Sequence, residues 1–194
     1  MFKRALTVVL ALLVLAVIGG YALSYRAAIA PIEPVSAASF PKELVDQGAE
    51  LAGAGNCASC HTRNPQQPFA GGVAFATKFG TIFSTNITPD PGTGIGAWPL
   101  TAFSRALRQG VARDGSQLFP VFPFDHFTKV SDGDVRALYA FFMTRQPVVR
   151  PAERNTLPFP LNLRALQAGW KLLFFHAGEY RLNAAKSATW NRGA

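Results

Sequence analysis

Cys57-Ala58-Ser59-Cys60-His61 constrains this chain more than any other stretch. A C-x-x-C-H run sets two thiols one helical turn apart, with an imidazole on the next residue. Thioethers to the two vinyl groups along one edge of a porphyrin need that spacing, and the adjacent imidazole can swing under the ring to bind iron. Cys57, Cys60 and His61 are therefore the expected holders of one covalently attached haem c, with His61 as the fifth iron ligand.

Two other chemistries share part of this signature. A thioredoxin-like redox pair uses C-x-x-C in a βαβ setting, and a structural zinc site needs four ligands. The chain has 2 cysteines, both in the motif. Its other histidines, His126 and His176, fall in no metal-ligand spacing. Haem attachment is the better reading.

At 194 residues there is room for one ordinary domain with extensions. The hydrophobic fraction of 49% is high for a wholly water-soluble chain and points to a lipid-embedded part. The formal charge of +8 is unevenly spread. Acidic and basic residues balance across 40–144. The excess falls mainly in the tail, where Arg145, Arg150, Arg154, Arg164, Lys171, Arg181, Lys186 and Arg192 face only Glu153 and Glu179. A nucleic-acid module concentrates its cations on the folded domain, so no nucleic-acid partner is expected; an anionic membrane or an acidic protein face fits better.

Lys3 and Arg4 precede an uncharged run from Ala5 to Leu23. As a helix that run spans roughly 28 Å, near the hydrocarbon thickness of a bilayer. By the positive-inside rule the N-terminus stays in the cytoplasm and the remainder is exported. Ala28-Ile29-Ala30 and Ala37-Ala38-Ser39 offer cleavage sites for the competing signal-peptide reading, but the run is long for a signal core. The expected organisation is an anchor or uncleaved signal over 1–25, an extended proline- and alanine-rich linker over 26–39 that lifts the domain off the membrane, a haem domain over 40–145, and a basic extension over 146–194. The haem domain would face the periplasm from a bacterial inner membrane.

Within the domain, a helix is predicted from Phe40-Pro41 to Ala52, ended by Gly53 and Gly55. Gly48 in its middle costs about 1 kcal/mol against alanine and implies close approach of another helix. Residues 62–98, rich in glycine and proline, read as a loop wrapped around the porphyrin, lined by Phe69, Phe75, Phe79, Ile82, Phe83 and Ile87. The Asn86-Ile87-Thr88 sequon reads as loop chemistry. Leu100–Gln109 forms a second helix stopped by Gly110, and Ser131-Asp132-Gly133-Asp134 opens a third, the natural partner for Gly48. The fold class expected is all-α, a small domain with long haem-wrapping loops behind one transmembrane helix.

The segments Phe79–Asp90, Gly94–Trp98, Asp134–Met143, Leu157–Asn162 and Ala168–Phe175 resemble the cytochrome c subunits of membrane-bound bacterial alcohol, aldehyde and related dehydrogenases. The resemblance implies a class I-like cytochrome c domain, the first haem domain of such subunits. It further implies electron transfer from a membrane-bound or periplasmic dehydrogenase of molybdenum or quinoprotein type to quinone or an oxidase. The family places a methionine as sixth ligand within a segment like Phe119–Phe124, where this chain has Phe122. His126 is the nearest competent donor and the candidate sixth ligand, with Met143 or a vacant position as alternatives. Trp190–Ala194 resembles the opening of a following haem domain, which implies a truncated multihaem subunit or a one-haem version, with further haem domains on another chain.

The expected role is thus a non-catalytic electron-transfer subunit. A haem sensor or peroxidase-like protein with an open sixth position is the rival, and a thiol oxidoreductase the third reading. For the apolar tail around Trp170, Leu172, Leu173, Phe174 and Phe175, a strap packed on the haem domain ranks ahead of a dehydrogenase-docking surface. An interfacial membrane segment is the remaining reading.

Overall fold

The computed structural model describes residues 2–193; Met1 and Ala194, the latter part of the Trp190–Ala194 segment that resembles the opening of a following domain, lie outside the described residues. Helix α1 (Phe2–Ser24) exposes the described apolar side chains along its length and leads, through a 3-10 turn at Ala37–Ser39, to the domain. There α2 (Lys42–Ala54), α3 (Cys57–His61), α4 (Leu100–Gln109), α5 (Phe124–Phe127) and α6 (Asp132–Met143) carry most of the packing. The tail adds α7 (Leu166–Phe174) and α8 (Ala188–Gly193).

The centre is the crossing of α2 and α6. Gly48 faces α6 so closely that an added Cβ would collide with the Ala137 carbonyl and lie 2.7 Å from the Phe141 Cβ. That contact is why a helix-weakening residue is kept mid-helix. Val135, Leu138, Tyr139, Phe142 and Met143 of α6 join Ala52, Ile95 and Phe103 in the buried core. Helix α6 starts where its sequence predicts, with the Ser131 hydroxyl accepting from the Asp134 amide at 3.2 Å, a side-chain cap for an otherwise unpaired backbone donor. Helix α4 ends at Gly110, whose φ of 61° lies in the left-handed region and whose face lies against the Phe124 ring. Only glycine takes that conformation without a Cβ penalty.

Three parts depart from expectation. The fold is not purely helical: residues read as loop include an antiparallel hairpin, β1 (Ala74–Thr77) with β2 (Gly80–Phe83), paired Ala74 to Phe83 and Thr77 to Gly80. The tail completes its edge, since Thr156 N–H donates to the Thr81 carbonyl at 2.9 Å and the Phe83 N–H donates to Asn155 Oδ1 at 2.9 Å. Of the residues expected to line the porphyrin, Phe69 and Ile87 pack, partly buried, against the protein core, and Phe79 sits exposed at the hairpin turn. Helix α2 ends as predicted at Gly55, its C-cap, and the left-handed residue that follows is Asn56, at φ 54°.

The first residues of the segment read as a linker are hydrogen-bonded to the domain. Ile29 N–H donates to the Arg113 carbonyl (2.8 Å), Arg105 Nη1 to the Ala27 carbonyl (2.7 Å) and Ile32 N–H to the Ala97 carbonyl (3.0 Å). Half the tail behaves as a strap. Phe124, 1% exposed, is met edge-on by Trp170 at 6.0 Å and by Phe175 at 5.2 Å, while Leu172, Leu173 and Phe174 face outward.

Candidate haem-attachment site

Asn56, left-handed at φ 54°, turns the chain from α2 into α3 and accepts from the Ser59 hydroxyl at 2.6 Å. The one-turn helix that follows places Cys57 and Cys60 on successive turns, both half-buried and unpaired with one another. Burial pushes the Cys57 thiol up to about 11, with the neighbouring Cys60 adding to the rise. Thiol exchange wants the opposite, an exposed thiol of lowered pKa. Neither rival chemistry finds its setting: α3 follows a helix rather than a parallel strand, and among the described residues no three His, Cys, Asp or Glu side chains gather as a metal cluster.

His61 lies 2.7 Å through Nδ1 from the Thr85 carbonyl oxygen. A carbonyl only accepts, so Nδ1 carries the proton and donates, leaving the Nε2 lone pair for a metal. Burial lowers the His61 pKa, and the bond to Thr85 opposes this more weakly. The lowered value favours the neutral ring that ligation requires. The residues thus fit a covalent haem: two thiols and a neutral, tautomer-fixed imidazole on one short helix.

Thr85 was not among the predicted site residues, and its carbonyl is held by a buried polar cluster. Asn86 Nδ2 donates to the Val148 carbonyl at 2.7 Å, while Asn86 Oδ1 accepts from the Thr88 amide (2.9 Å) and hydroxyl (2.7 Å). Val148 N–H donates to the Thr88 hydroxyl at 3.1 Å. Asn86 and Thr88 are 4% and 0% exposed, so the sequon serves as an internal clamp. Gly71, at φ 76°, completes it: its N–H donates to the His61 carbonyl at 2.7 Å, and a Cβ there would press to 2.5 Å on the Thr85 carbonyl. An Asn-x-Thr triplet in a glycine- and proline-rich loop was the available signal.

The other side is aromatic. Phe122 stacks on Phe127 at 5.5 Å and 23°, and the Phe127 ring borders Gly55, beside the Cys57 sulfur. His126 points away, its side chain 82% exposed and its Nδ1 3.0 Å from Asp125 Oδ1. Met143 is buried in the core at the end of α6, and His176 is exposed on the tail.

A C-x-x-C-H helix whose histidine is held by a clamped loop carbonyl is the arrangement that a c-type haem site requires. The chain is homologous to subunits of dehydrogenases, several of them cytochrome c subunits. It is 48% identical over 173 residues to a nicotinate dehydrogenase subunit of Pseudomonas putida, covering 89% of this chain and 15% of the relative. It is 41% identical over 166 residues to the fructose dehydrogenase cytochrome subunit of Gluconobacter japonicus, covering 84% and 34%. With the gluconate 2-dehydrogenase cytochrome c subunit of Pantoea cypripedii it shares 46% identity over 132 residues, covering 68% and 30%. The chain spans about a third or less of the length of these relatives. No protein-family model matches it. The homology supports haem c as the cofactor and electron transfer as the role.

Proposed function

We propose that this chain is a membrane-anchored c-type cytochrome with a class I-like haem domain. It carries one haem c and passes electrons from a partner dehydrogenase towards quinone or a terminal oxidase, on the periplasmic side of the inner membrane. The observation that carries this reading is the presentation of His61, with Nδ1 committed to Thr85 and Nε2 left for iron, on the same short helix as Cys57 and Cys60. Haem c, when bound, supplies a one-electron couple. The chain's own part is to hold the two thiols on one turn, fix the imidazole tautomer, and exclude water with Phe122 and Phe127. Helix α1, with an apolar stretch from Phe2 to Ala22, is the anchor, its basic end in the cytoplasm. The partner is a membrane-bound or periplasmic dehydrogenase of molybdenum or quinoprotein type, with further haem domains on another chain.

For the sixth position, His126 is the candidate ligand; it would hold iron only on giving up its contact with Asp125. The stacked Phe122–Phe127 pair on that side favours a second reading, an open sixth position as in a haem sensor or peroxidase-like protein.

The test is expression with a cytochrome c maturation system. Haem staining that survives denaturing electrophoresis is expected in the wild type and lost in Cys57→Ala/Cys60→Ala; no stain in the wild type would sink the reading. His126→Ala then separates the alternatives. A changed spectrum and potential makes His126 a ligand. An unchanged spectrum, with rapid carbon monoxide binding to ferrous protein, assigns the open position.

A further inference from the structure

Helix α7 is inverted relative to an ordinary surface helix. Its one charged residue, Lys171, is turned inward. Lys171 Nζ donates to the carbonyls of Gln109 (2.5 Å) and Gly110 (2.8 Å) and to Gln117 Oε1 (2.7 Å). It therefore caps the C-terminal end of α4, where backbone carbonyls lack helical partners. Ala168 is buried beside it, and Trp170 faces Phe124. The outward positions are apolar, with Leu166 47%, Leu172 69%, Leu173 72% and Phe174 61% exposed. A water-facing helix places its charges the other way round.

The location of that face says what covers it. Helix α7 packs against α1. Gln117 joins the two, donating through Nε2 to the Ser24 carbonyl at 2.9 Å while its Oε1 accepts from Lys171. The clamp of residues 27–32 on Arg105, Arg113 and Ala97 fixes the relation. At about 1.5 Å per residue the apolar stretch of α1 is about 30 Å long, so its C-terminal end, and whatever touches it, sits at the headgroup layer.

We propose that the outward face of α7, formed by Leu166, Leu172, Leu173 and Phe174, inserts into the interfacial layer of the same bilayer that α1 crosses, giving the domain a second, surface-lying contact with lipid. The inference rests on the proposed membrane-spanning role of α1. Apolar side chains of a surface-lying helix reach about 5–10 Å into the headgroup–acyl boundary. Arg26, next to the end of α1, suits anionic headgroups.

The test uses the haem-loaded full chain in nanodiscs of phosphatidylethanolamine with phosphatidylglycerol, bearing a nitroxide on Leu173→Cys, and in separate samples on Ile18→Cys within α1 and on the exposed Val149→Cys. The unsubstituted chain serves as the labelling control. Power-saturation measurements compare access by oxygen, which concentrates in lipid, with access by a water-soluble nickel chelate. The expected result is an oxygen-to-nickel ratio at position 173 several-fold above that at 149 and on the same side of the scale as position 18. A ratio at 173 equal to that at 149, with 18 still lipid-exposed, overturns the proposal and leaves the membrane-spanning reading intact. Protection of 173 from both reagents also overturns it, by showing that a protein surface covers the face. Nickel access at 18 removes the membrane reading, and the proposal with it. Leu172→Cys provides the same readings if the first variant does not fold, judged by haem content and visible spectrum.

Discussion

The two sides of α3 are built by opposite means. On the Thr85 side, a polar cluster with almost no exposure fixes one carbonyl against one ring nitrogen, and a left-handed glycine leaves that carbonyl no room to move. On the Phe122 side, stacked rings fill space without directing a lone pair, and the nearest histidine turns to an aspartate in solvent. Directional bonds specify a single geometry, whereas ring packing tolerates neighbouring ones. The Thr85 side is therefore expected to be rigid, and the Phe122 side to be where ligation can be altered at small structural cost.

The most damaging change strikes beneath both sides. Gly48→Leu drives a side chain into the Ala137 carbonyl. It is expected to cost more than about 3 kcal/mol, enough to leave no cooperative thermal transition above room temperature. Asn86→Ala comes next. Loss of the clamp leaves the buried Thr88 amide without its acceptor and removes the Asn86 donor from the Val148 carbonyl, which costs about 1–3 kcal/mol in denaturant unfolding. Gly71 holds a positive φ against Thr85. Gly71→Ala is expected to cost about 1–2 kcal/mol, the penalty of a Cβ in the left-handed region. It should also displace Thr85, visible as a changed His61 Nδ1–H signal by NMR. If that signal keeps its position, the rigidity ascribed to this side is wrong.

Smaller effects test the other side and its support. Burial, reinforced by Arg26, lowers Lys171 from its ordinary 10.5 to about 8. Between those values the unfolded chain holds the extra proton, so this residue makes stability rise as pH climbs from about 8 towards 10. Lys171→Met is expected to abolish that rise in urea midpoints compared between neutral and mildly alkaline buffer; an equal rise in both proteins would reassign it. Phe122→Met is the mildest change in packing, at about 1 kcal/mol, yet it places a thioether on the permissive side. A higher midpoint potential and an altered visible spectrum are expected, because a thioether favours reduced iron. An unchanged potential would mean the Phe122 side is as fixed as the other.

What the sequence made legible follows how local each signal is. The attachment helix, the Gly110 stop of α4 and the Ser131 cap of α6 are written in residues a few positions apart, and the structure has all three. Gly48 announced a close helix through its own cost. The hairpin was hidden because Asn155 and Thr156, far along the chain, supply bonds to its outer edge. Thr85 was hidden because its contribution is a backbone carbonyl, which no side-chain motif records. Helix α7 contains a glycine and lacks a side-chain cap, so little beyond its contact with Phe124 and Gln109 specifies it. The clamped segment after α1 has proline and alanine composition that suits a tether, and only Arg105, Arg113 and Ala97, distant in sequence, convert it to a fitted one.

That fitted segment sets how the protein can meet a redox partner. A free tether over 26–39 would have an end-to-end distance of roughly 20 Å, letting a haem edge sample many heights and tilts above the lipid. Bonded from Ala27 to Ile32, the mount removes most of that search. On the proposed membrane reading, encounters become a problem in the plane: partners are selected by the altitude and tilt at which they present their own redox centres, and a partner pitched at another height is refused before any contact chemistry is read.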